Sequence, residues 1–83
     1  MKMFLISDER DALLGMRLAG VKGKFVQSSD EFIEIFMDKV RDAEVAILLI
    51  TKSLSNEFEH IINPYKLMGG PLIVTMPGWE ALA

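Results

Sequence analysis

The 83-residue chain has no cysteine, one histidine, one tryptophan and three prolines. Without thiols there is no disulfide framework, no thiolate zinc site and no thiol nucleophile, and the composition agrees with a cytoplasmic location. One histidine, His60, does not make a conventional zinc site on its own. Long hydrophobic runs are missing too. The longest, Val45-Ala46-Ile47-Leu48-Leu49-Ile50, is far short of the roughly 20 residues that cross a bilayer, so no membrane insertion is expected. No apolar segment with a small-residue cleavage site follows Met1-Lys2-Met3-Phe4, so no signal peptide is expected. An excess of positive charge is also lacking. Nine Lys and Arg against twelve Asp and Glu leave a net charge of −3, which gives nucleic acid and anionic lipid nothing to bind to electrostatically.

What is present is apolar: 51% of the residues are hydrophobic, too many for a disordered chain. Residues 1–77 read as a single α/β domain, followed by a short tail over 78–83. A domain of this size buries only about 60–65% of its unfolded surface, so a partner surface adds to its stability. With nucleic acid and lipid set aside, that partner is expected to be a protein.

Short apolar runs alternate with longer amphipathic segments, the pattern of strand and helix units. Met3 to Ile6 reads as a strand buried on both faces. A helix follows from Asp11, with Leu13, Leu14 and Leu18 on one side and Gly20 and Gly23 bracketing its stop. Lys24-Phe25-Val26-Gln27 reads as a short edge strand. Ser28 and Glu31 stand at capping-box spacing before a helix whose stripe is Ile33, Phe36, Met37 and Val40. Val45 to Ile50, closed by Thr51, is the expected central strand. Leu54, Phe58, Ile61, Ile62 and Tyr65 recur at helical spacing, and Pro64 predicts an end near Asn63. Leu72 to Met76 reads as a last buried strand. The order is βαβαβαβ, which predicts a three-layer, Rossmann-like (receiver-like) domain. Its four-stranded parallel sheet has the expected order 2-1-3-4, with helices on both faces.

In such folds ligands sit beyond the carboxyl ends of the strands, here Ser7-Asp8-Glu9, Gln27-Ser28-Ser29, Thr51-Lys52-Ser53 and Pro77-Gly78. A phosphoacceptor site of the receiver type would use Asp8 and Glu9 for a cation and needs an aspartate at the end of the central strand, where Thr51 stands. With Thr51 in that place, Asp8, Glu9 and Asp11 read instead as residues that cap or flank the first helix. The turn after the first strand has no glycine and three carboxylates, which repels phosphate. His60 reads as an exposed helical histidine, and the six methionines read as core filling. No catalytic residue, cofactor or metal site is therefore expected. Phe25, Phe58, Tyr65, Met68 and Trp79 fall near element ends, where they form either a protein interface or a cover for the open ends of the sheet.

Three stretches carry a family resemblance. Phe4-Leu5-Ile6-Ser7-Asp8, followed by Gly15-Met16-Arg17-Leu18-Ala19-Gly20-Val21, is similar to the first strand, acidic turn and glycine-ended helix of the F subunit of the rotary V-type and archaeal A-type ATPases. Glu44 to Thr51 resembles that family's central strand, with Lys52 standing where an acidic residue is common. Pro71 to Pro77 resembles its closing strand. The resemblance implies a non-catalytic rotor component of the central stalk. Such a component sits on the coiled-coil central shaft, the D subunit, beside neighbouring subunits of the complex. It is peripheral to the membrane and helps couple ATP hydrolysis or synthesis to ion transport. The resemblance also implies a C-terminal helical extension, of which residues 78–83, Gly78 to Ala83, are expected to be the truncated start. Arg17, Phe25, Gln27, Phe58, Ile62 and Tyr65 are the candidate shaft contacts. The alternative is a receiver-like adaptor domain that binds a signalling protein.

Overall fold

The computed structural model describes residues 2–77. Four parallel strands, β1 (Lys2–Ser7), β2 (Lys22–Phe25), β3 (Val45–Thr51) and β4 (Leu72–Met76), lie in the order β2-β1-β3-β4. They are connected by α1 (Arg10–Leu18), by α2 (Ser29–Val40), and by α3 (Lys52–Glu57) followed by α4 (Glu59–Lys66). The α/β class, the all-parallel sheet and its order are those the alternating pattern predicts. Helices lie on both faces, which produces two apolar clusters. The larger joins Ile6, Leu48 and Ile50 of the sheet to Phe32 and Phe36 of α2, Leu54 of α3 and Ile62 of α4. The smaller joins Leu5 and Leu49 to Ala12, with Leu13, Met16 and Met76 packed around them.

Local sequence explains the best-defined boundaries. Ser28 caps α2: its Oγ accepts from the Glu31 N–H at 3.2 Å, while Glu31 Oε1 accepts from the Gln27 N–H at 3.1 Å. This is a capping box whose return contact falls one residue early. Gly20 ends α1 in a left-handed conformation, φ 88°, which glycine adopts without steric cost.

Four expectations are corrected. The buried stripe of α2 is Phe32 and Phe36, while Ile33 is 36% exposed. Apolar residues at 32, 33, 35, 36 and 37 cover more than half the helix circumference, so periodicity alone leaves its rotation open. The second strand runs over Lys22–Phe25 instead of Lys24–Gln27, because Gly23 belongs to the sheet and not to the helix stop. Gly23 pairs with Leu5, and a Cβ on it would lie 2.8 Å from the Leu5 carbonyl oxygen and 2.5 Å from Leu13 Cδ2. The third helix breaks at Phe58 and continues through Pro64 to Lys66. An interior proline forgoes one hydrogen bond and crowds the carbonyl four residues earlier, here that of His60, so tertiary packing must offset the cost. Burial of Ile62 and the edge of the Tyr65 ring against Phe36, 5.4 Å between centroids, hold the trajectory.

The fourth correction concerns β4, which is a sheet edge and not a buried strand. Leu72 is 63% exposed, because α1 lies over β1 and β2 and no described helix covers the same face of β3 and β4. The segment 78–83, expected to begin a C-terminal extension and holding Trp79, lies outside the described residues.

Candidate functional site

At the carboxyl end of the sheet, between β1 and β3, the chain reverses its direction of winding. This is where an open α/β sheet offers a crevice. The polar groups there are largely spent on one another. Asp8 Oδ1 accepts from Thr51 Oγ1 at 2.9 Å and Asp8 Oδ2 from Ser53 Oγ at 2.6 Å. Ser7 Oγ donates to the Glu9 carbonyl and accepts from the Glu9 N–H, both at 2.8 Å. Thr75 Oγ1 donates to Ser55 Oγ at 3.1 Å. The two positions a phosphoacceptor centre would use, Asp8 and Thr51, thus face each other as acceptor and donor of a single hydrogen bond. Among the described residues no group of three or more His, Cys, Asp or Glu side chains is placed to hold a metal ion.

This Asp8 clasp is a stability element. Thr51 is fully buried, so Asp8→Ala strands its hydroxyl without an acceptor and is expected to lower stability by about 1–3 kcal/mol. Adding Thr51→Val should recover much of the loss, because the orphaned hydroxyl is then gone. Urea denaturation of the single and double variants measures both effects. An Asp8→Ala variant as stable as the parent would show that the clasp contributes nothing to the fold.

Beside the clasp lies an open cleft of about 430 Å³, with a floor of Phe25, Val26, Leu54 and Phe58 and a rim that includes Asp8, Gln27, Ser28 and Glu57. Three of the six candidate contact residues, Phe25, Gln27 and Phe58, meet here. Gln27 is exposed. Phe25 is half-buried beneath the Arg10 guanidinium, 4.2 Å from its ring centroid. Phe58 is only 6% exposed and stacks on Phe32 at 4.3 Å between ring centroids. Ile62 is 1% exposed and belongs to the core, so it and Phe58 act in packing and present almost nothing to a partner. Tyr65 is half-buried, with its hydroxyl 3.4 Å from Met37 Sδ. Arg17 is exposed at the end of α1, on the sheet face opposite Tyr65. The six therefore do not form one surface.

What sequence reasoning missed is the apolar surface on the α1 side of the sheet. The register places Met3, Ile47 and Leu72 in one row across β1, β3 and β4, and Leu5, Leu49 and Val74 in the next. Met3, Leu72 and Val74 are 39%, 63% and 37% exposed. The signal was available: in a βαβαβαβ chain of this order only the first crossover lies on that face, so among the described helices α1 alone covers it.

No described helix is long and apolar enough to cross a membrane. The family model described as ATP synthase (F/14-kDa) subunit matches residues 3–81. A similar curated protein is the F subunit of the A-type ATP synthase of Thermoplasma volcanium. It is 24% identical over 70 residues, which cover 83% of this chain and 67% of that protein. No solved structure matches the chain significantly.

Proposed function

Because this chain belongs to the family of ATP synthase (F/14-kDa) subunits, we propose that it is a non-catalytic central-stalk component of a V/A-type rotary ATPase. In this reading it binds the coiled-coil central shaft, the D subunit, contacts neighbouring subunits of the complex, and sits in the cytoplasm, peripheral to the membrane. It turns with the shaft and helps couple ATP hydrolysis or synthesis to ion transport. The observation that carries the reading is the family match over residues 3–81, nearly the whole chain.

The physics of the fold agrees with that role. A rotor accessory must transmit torque without deforming, and close-packed interiors transmit strain because they have low compressibility. Stacking of Phe58, Phe32 and Phe36 ties α3 and α4 to α2 across the larger cluster. The carboxylates after β1 disfavour phosphate, which suits a component that leaves nucleotide to the catalytic head.

Calorimetric titration of the chain with the purified coiled-coil shaft protein tests the proposal. Saturable one-to-one binding is the expected result. A folded chain that gives no binding heat at any accessible concentration would refute it.

A further inference from the structure

We propose that the sheet edge formed by β2, together with the flank of α1 beside it, binds an extended acidic segment of another protein. The occupant is identified by its chemistry and does not depend on the reading under Proposed function. Among the described residues β2 pairs only with β1, so the other side of its backbone has no strand beside it. Such an edge is a template for strand addition, in which main-chain hydrogen bonds supply affinity and alternate side chains supply specificity.

The charges around the edge select the occupant. Arg10, Leu13, Leu14 and Arg17 of α1 line an open groove of about 230 Å³ with Gly23 of β2. Asp11, one residue before the buried Ala12, falls on the other flank of α1 from Leu13, one residue after it. The register puts Lys22 and Lys24 beside Phe4 and Ile6, on the α2 side of the same strand. Lys24 shares an open cleft there with Glu31, Glu34 and Asp38, so the α1 side is the more electropositive of the two. Four of the nine basic residues of a chain with net charge −3 thus stand along one edge. Among the described residues none of the four forms an ion pair.

Arg10 is the most telling of them. It opens α1, where the positive end of the helix dipole disfavours a cation. Its guanidinium is nevertheless held over the Phe25 ring, 4.2 Å from the centroid, which fixes the charge at the end of β2. Helix formation gains nothing from a cation at this place, whereas a carboxylate beside β2 would pair with it. Lys22 and Lys24 in turn repel a second β2 edge, which carries the same two lysines, so an acidic strand is favoured over another copy of the chain.

The probe is a soluble peptide of about ten residues, long enough to span the strand, in which glutamate and threonine alternate. Amide NMR of the full chain is the readout. Saturable shifts confined to Lys22–Phe25 and α1 are expected, with slower hydrogen exchange at the β2 amides. Arg10→Gln combined with Arg17→Gln is expected to weaken binding about tenfold, because two exposed charge pairs are lost. Lys52→Gln combined with Lys66→Gln makes the same change in net charge at exposed positions of α3 and α4 and is expected to bind like the parent. A peptide with proline at alternate threonines keeps the charges but loses main-chain donors, and is expected to leave β2 exchange unchanged.

No shift at millimolar peptide, equal binding by the parent and both double variants, or equal protection by the proline peptide would overturn the proposal. The last result would mean bare charge attraction without strand addition. Outer-edge β2 amides that already exchange slowly in the free chain would mean that its own residues or a second copy fill the edge, which also overturns it. Shaft binding is a separate measurement, so failure here leaves the proposed function standing.

Discussion

Replacing Phe32 by alanine is expected to cost about 3–5 kcal/mol, a large part of the total stability of a domain this small. Phe32 has no exposed surface and its ring lies between Phe36, at 5.5 Å, and Phe58, at 4.3 Å. Truncation opens a cavity where α2 meets the α3–α4 junction, and the stacked neighbours on either side lose their partner. Ile33→Ala, one residue along the same helix, is expected to fall within about 1 kcal/mol of the parent, since exposed positions contribute little. Urea unfolding of the pair reads the rotation of α2 directly. A larger loss at Ile33 than at Phe32 would restore the stripe suggested by periodicity and contradict the packing described here.

Gly23→Ala is expected to destabilise by about 3 kcal/mol, the upper part of the range for overpacked sites. Two atoms stand in the way of the new methyl group, and they differ in kind. Leu13 Cδ2, at 2.5 Å, is the end of a flexible side chain and can turn away. The Leu5 carbonyl oxygen, at 2.8 Å, is backbone of a central strand paired on both sides, and moving it strains the sheet. At about 4–8 °C per kcal/mol for a domain of this size, the melting temperature should fall by about 12 °C or more. Gly15→Ala provides the contrast. In the interior of α1 with open space around the new Cβ, it is expected to stabilise by about 0.5–1 kcal/mol, because alanine has less backbone freedom to lose than glycine. Equal melting temperatures for the two variants would show that β2 does not approach α1 and β1 as closely as described.

The two glycines also show where sequence reading stops. Both lie in one short stretch with Gly20, and composition alone does not tell which of the three ends a helix, which borders open space and which lies within a sheet. Only the pairing of β2 with β1 distinguishes them, because it sets which glycine faces a neighbouring backbone. The same limit moved the second strand by two residues. In the candidate interface, aromatic character and position near element ends marked Phe58 and Tyr65 for a partner, yet aromatic residues serve a core equally well. Whether Phe58 meets solvent depends on Phe32, twenty-six positions earlier in the chain.

Much was nevertheless fixed by local physics. Apolar runs too short for a membrane, separated by amphipathic stretches with a capping box and a glycine stop, specify alternating strands and helices. Right-handed crossovers then leave few ways to arrange four parallel strands. Class, strand order and family could be read at that level, since each depends on patterns carried within a few tens of residues. The tertiary structure decided the rotation of α2, the break at Phe58, the clasp between Asp8 and Thr51 and the exposure of β4. Each of these depends on which side chains meet across the sheet, and such contacts join residues whose separation in the chain leaves no local trace.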